Sequence, residues 1–106
     1  MNKTLALAAL LALSLPAHAD EWTGSRPIAS MRVDGRTTDT TVYFETQTSW
    51  AAAGCPNAKF VFVHNNSALK EILAVGLTAK TSGATVRFVG NCQDSDHFEA
   101  SYIILD

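Results

Sequence analysis

The densest group of chemistry-bearing side chains is Asp94-Ser95-Asp96-His97, followed by Glu99. Clustered carboxylates are oxygen donors of the kind calcium takes. The segment nevertheless has neither the glycine at the sixth position nor the acidic residue at the twelfth that an EF-hand loop uses. It reads as a solvated loop, and no metal is assigned. His64 and His97 form a second pair with acid–base capacity that could share a surface. Each falls at a strand end, where a lone histidine more often serves packing or faces solvent than catalyses. Ser25, Ser30, Ser49, Ser67, Ser82, Ser95 and Ser101 include none with a base at nucleophile spacing, and no G-x-S-x-G, H-E-x-x-H or phosphate-binding glycine loop occurs. The sequence therefore points away from an enzyme, with no catalytic residue and no cofactor.

Aromatic side chains are the better lead. Trp22, Tyr43, Trp50 and Tyr102 have faces that stack on sugars or bases and edges that pack in cores. Trp50 is expected to be the exposed one, because it closes a strand just before Ala51-Ala52-Ala53-Gly54. Trp22 lies near the expected mature N-terminus, where a strand or a partner subunit would cover it.

Met1 to Ala19 has one positive charge at Lys3, an apolar run from Leu5 to Leu15, and the small-x-small triplet Ala17-His18-Ala19. That is the pattern of a cleavable secretory signal peptide, and the run is well short of the ~20 residues of a spanning helix. The expected organisation is a leader over 1–19 and one small domain over 20–106, secreted or periplasmic, with no membrane insertion. The formal net charge is −2, and loss of Lys3 makes it more negative. Arg26, Arg32, Arg36 and Arg87 are scattered, so the positive stripe that nucleic acid needs is missing and no nucleic-acid partner is expected.

Cys55 and Cys92 are the only cysteines. In an exported chain two cysteines predict one disulfide; C-x-x-C redox spacing is absent, and zinc would need more ligands. Closing that loop is worth at most about 4 kcal/mol in the chain-entropy model.

Five strands and a helix must hold these groups. Pro27–Arg36 alternates imperfectly and stops at Asp34-Gly35. Thr40–Trp50 is β-branched and aromatic, and Lys59–His64 alternates cleanly. Asn65-Asn66-Ser67 suits a helix N-cap, positions 69, 72, 73, 76 and 77 form one apolar stripe, and Gly83 suits the helix stop. Gly76 within the helix predicts a close approach to the sheet. Ala84–Gly90 and Phe98–Leu105 complete the set, with Cys92 in a polar loop between them. The expected class is α+β, mainly β. The order βββαββ fits a small five-stranded OB-fold-like barrel with its helix between strands three and four, and an open α+β sheet is the competing architecture.

Glu21-Trp22-Thr23-Gly24, Asp39-Thr40-Thr41-Val42-Tyr43-Phe44 and Thr81-Ser82-Gly83 with Val86-Arg87-Phe88 resemble the corresponding segments of the B subunits of subtilase-cytotoxin and typhoid-toxin type AB5 toxins. The resemblance implies an OB-fold, ring pentamers, sialylated-glycan binding and a separate A subunit. It also implies a glycan-contacting serine at a fixed spacing before a glycine, which Ser25 and Gly35 reproduce. The stretch that separates the Trp-Thr-Gly motif from that serine in the family is missing here. Glu45 stands where the family has a cysteine, so the disulfide differs. The chain is equally similar to short exported bacterial proteins with this strand order and no toxin partner.

The resulting expectation is a non-catalytic binding module for a glycan or a protein, with Ser25, Tyr43 and Trp50 as ligand contacts. The alternative is a structural or assembly role in the bacterial envelope with no small ligand.

Overall fold

The computed structural model describes residues 20–36 and 39–106, so the expected leader over 1–19 lies outside the described residues. The elements run β1 (Glu21–Trp22), β2 (Arg26–Pro27), β3 (Ser30–Asp34), β4 (Thr41–Glu45), β5 (Phe60–His64), α1 (Leu69–Ser82), β6 (Thr85–Cys92) and β7 (His97–Leu105). The protein is α+β and mainly β.

All seven strands among the described residues belong to one sheet in the order β1-β6-β7-β5-β4-β3, with β2 also on β6; this path does not close into a barrel. Seven strands stand where five were expected because the run before β3 adds two short pieces, Glu21–Trp22 against Gly90–Val89 and Arg26–Pro27 against Val86–Thr85. β3, β4 and β5 form an antiparallel meander. β5 and β7 pair in parallel, a geometry that needs a long crossover, which α1 and β6 provide.

Period-two alternation decides what each strand buries. On β4 and β5, Val42, Phe44, Val61 and Val63 face the core, while Thr41, Tyr43, Glu45, Phe60, Phe62 and His64 form the opposite face. Phe88 is central to the core: its ring lies 4.9 Å from Phe44 and 5.1 Å from Trp50, the latter edge-on. Burial of each such side chain contributes roughly 1.5–3 kcal/mol.

α1 follows the sequence reading in extent and in four of the five stripe positions: Ile72 and Gly76 are buried and Leu69 and Leu73 pack against the core, while Ala79 is buried in place of Leu77, which is 51% exposed. The close approach expected at Gly76 is present, because a Cβ there would lie 2.5 Å from Phe44 Cε1 and 3.2 Å from Met31 Cε. The helix N-cap is Ala68, without a side-chain cap, one residue beyond the expected Asn65-Asn66-Ser67; Asn66 Oδ1 accepts from Ala68 N–H at 2.8 Å within the turn before it, and Gly83 ends the helix in the left-handed region at φ 75°.

Cys92, expected in a loop, is the last residue of β6. The strand passes through an irregularity at Val89/Gly90 and keeps pairing, with Asn91 opposite Glu99 and Cys92 opposite Phe98. Strand two is correspondingly shorter than expected, ending at Glu45. Residues 46–58 lead instead through Trp50 to Cys55, whose disulfide to Cys92 is formed as the sequence predicts. No described helix is long and apolar enough to cross a membrane.

Candidate functional site

Trp50 is not a surface residue. It is fully buried, and its indole N–H donates to Phe44 O at 3.2 Å, so the apolar ring and the polar nitrogen are both satisfied inside the core. The chain folds Trp50 inward because the alanines and glycine after it form a tight turn, bridged between Ala52 and Cys55, instead of a free tail to the strand.

Tyr43 is half-buried on β4. It packs against Phe60 and Phe62 at ring separations of 6.5 and 6.1 Å, and the Arg32 guanidinium lies 4.4 Å over its ring. His97 stacks on Phe60 at 5.1 Å, which continues this aromatic row onto β7. Tyr43 is therefore part of a half-buried aromatic patch on the face of β4 and β5 opposite the core.

Ser25 is exposed between β1 and β2. Its hydroxyl lies 2.7 Å from Asp106 Oδ2 and 2.9 Å from Thr85 Oγ1. Asp106 also accepts from Arg87 Nε at 2.8 Å and from Arg87 Nη2 at 2.9 Å. This two-pronged contact and the Ser25 hydrogen bond hold the Asp106 carboxyl below its ordinary range, and the same contact raises the pKa of Arg87. The Arg87 guanidinium lies 5.0 Å from the centroid of the Trp22 ring. Strand register extends the group: Trp22 is opposite Val89, and Val89 is opposite Tyr102. Trp22 and Tyr102 are 50% and 46% exposed.

The structure thus brings Ser25 to Asp106 and Arg87, with Trp22 beside the guanidinium and Tyr102 across Val89 from Trp22, and leaves Tyr43 apart; Trp50 reaches this segment through its backbone carbonyl, which accepts from Gly24 N–H, while its ring stays in the core. In the sheet order, β7 and β5 lie between β6 and the strand of Tyr43. Trp22 is neither covered nor free: β1 pins its backbone to β6 and leaves half the ring open. Arg87 and Asp106 escaped the sequence reading. The signal was present in the alternation of β6, which turns Arg87 to the face opposite Val86 and Phe88. What was missing was the β6–β7 register that carries Asp106 back beside it.

The two histidines face outward at opposite ends of β5 and do not meet. His64 Nδ1 is 2.7 Å from Thr41 Oγ1, while His97 is opposite Phe60. Asp94 spends its Oδ1 on its own turn, accepting from Asp96 N–H, from His97 N–H and at 2.9 Å from the His97 ring. The hydrogen bond to His97 is the largest cause of its lowered pKa.

No protein-family profile, no curated protein and no solved structure matches the chain.

Proposed function

We propose that the chain is an exported, non-catalytic binding module that recognises a glycan or a protein through the face made by Trp22, Ser25, Arg87 and Tyr102. The carrying observation is the pair of half-exposed aromatics Trp22 and Tyr102, on either side of the buried Val89 in the sheet, beside an arginine fixed by Asp106. Exposed Trp, Tyr and Arg together are the composition of binding hot spots, and rigid aromatics lose little conformational entropy on contact.

The architecture belongs to this proposal as an OB-type strand arrangement. Its support is the parallel β5–β7 pair, together with the run 26–34, which begins on β6 and ends on β4. A contact role is favoured over turnover because Ser25 donates to a carboxylate that Arg87 keeps ionised and weakly basic, an arrangement that does not activate a hydroxyl. Export to an oxidising compartment fits the Cys55–Cys92 disulfide.

A glycan array, with a photo-crosslinker at position 22 in parallel, tests the proposal. Binding to one glycan class that Trp22→Ala weakens about tenfold or more supports the glycan arm. A single crosslinked adduct of defined mass, lost on Tyr102→Ala, supports the protein arm. A featureless array and no adduct overturn the reading.

A further inference from the structure

The segment 20–27 carries the indole and the hydroxyl of that face, yet β1 and β2 each make only two register pairs. Ladders this short hold little by themselves. On their other side they are fastened by the loop of residues 49–58. Glu21 Oε1 accepts from Gly54 N–H at 2.5 Å, Gly24 N–H donates to Trp50 O at 2.7 Å, and Arg26 Nε donates to Ser49 O at 3.2 Å. These three contacts bracket both Trp22 and Ser25. The loop is seated in the core by Trp50, Ala52 and Ala58, and the turn between the two alanines is tied to β6 by the bond from Cys55 to Cys92.

We propose that the Cys55–Cys92 disulfide positions Trp22 for binding, so that the redox state of the disulfide sets the strength of the Trp22–Ser25 face. The proposal rests on the binding role given above. Trp50, Ala52 and Ala58 keep their places in the core whatever the state of the cysteines, so the part loosened on reduction is the turn 53–57, and with it the Gly54 contact to Glu21. Glu21 is the neighbour of Trp22 and the other half of β1. A dithiol supplies the two electrons and two protons that turn the S–S bond into two thiols, and its own sulfurs close into a disulfide. The freed loop then loses entropy each time Gly54 returns to Glu21, and the two-residue ladder frays.

The test needs no ligand, which separates its failure from failure of the binding reading. The two tryptophans supply an internal reference, since Trp22 is half-exposed and Trp50 is fully buried. Iodide quenching and amide exchange are measured with and without dithiothreitol, and on variants that keep the disulfide. Gly54→Ala places a methyl 2.7 Å from Glu21 Oε2, which displaces the flexible carboxylate. Glu21→Ala removes the acceptor, and Glu21→Gln retains one. Reduction, Gly54→Ala and Glu21→Ala are each expected to raise Trp22 quenching about twofold and speed Thr23 N–H exchange about tenfold, with Val42 and Val63 amides unchanged in the two variants. Glu21→Gln restores wild-type values. If Glu21→Ala and Gly54→Ala leave Trp22 and Thr23 as in the wild type, the proposal is overturned. A loss of protection on reduction that also reaches Val42 and Val63, with Glu21→Ala silent, identifies the disulfide as a general staple and likewise overturns it.

Discussion

Ser25 and Asp106 stand 81 residues apart in the chain and meet at 2.7 Å through the serine hydroxyl. Because the same carboxylate grips Arg87, and Arg87 lies over Trp22, one acidic group orients three side chains of the face. No part of this linkage is local in sequence.

Acid should loosen it. The Asp106 pKa is lowered in the folded chain, chiefly by Arg87 and then by Ser25. Its contribution is therefore complete above the unfolded carboxylate value, about 4, and fades as pH falls through the lower folded value. Trp22 emission is expected to stay constant from neutral pH down to about 4 and to change below that, with the change absent in Asp106→Asn. A midpoint near pH 6 would contradict this assignment.

Trp50 should behave as a core residue. Trp50→Ala is expected to cost about 3–5 kcal/mol in urea unfolding, because it empties the space beside Phe88 and leaves Phe44 O without its donor. Near-neutral stability for this variant would show that the ring packs elsewhere in solution.

A contrast on one helix turn checks which face of α1 meets the core. Gly76→Ala drives a methyl into the Phe44 ring and should destabilise by about 1–3 kcal/mol, despite alanine's better helix propensity. Leu77→Ala, at an exposed site, should fall within about 0.5 kcal/mol of the wild type. The reverse ranking would contradict the close approach at Gly76 and the outward turn of Leu77.

Reduction should lower thermal stability, by at most about 4 kcal/mol for the loop it opens. Thiol titration of the unreduced protein under denaturant is expected to find no reactive cysteine, and calorimetry with and without dithiothreitol to show the shift.

Local chemistry made much of this fold legible. The alternation of Phe60–His64, the left-handed stop at Gly83 and the pairing of two cysteines each depend on a few adjacent residues or on compartment alone. The failures share a cause. Whether Trp50 turned in or out was decided by a turn whose alanines carry no directional signal, and Leu77 lost its place to Ala79 on a helix whose close approach to the sheet is at Gly76. β1 and β2 are too short for periodicity and exist because β6 offers them an edge. The candidate face was the least legible part. Trp22 and Ser25 were visible as residues, but their company with Arg87, Asp106 and Tyr102 is a product of register between distant strands.

The path of residues 21–34 has a consequence for self-association. One stretch of chain lies along β6 with its first part and along β4 with its last. Both strands would otherwise offer unpaired amides and carbonyls for another molecule to copy. Trimming that stretch would bare two such templates together, so its loss is expected to appear first as fibrillar precipitation, ahead of any drop in helix content.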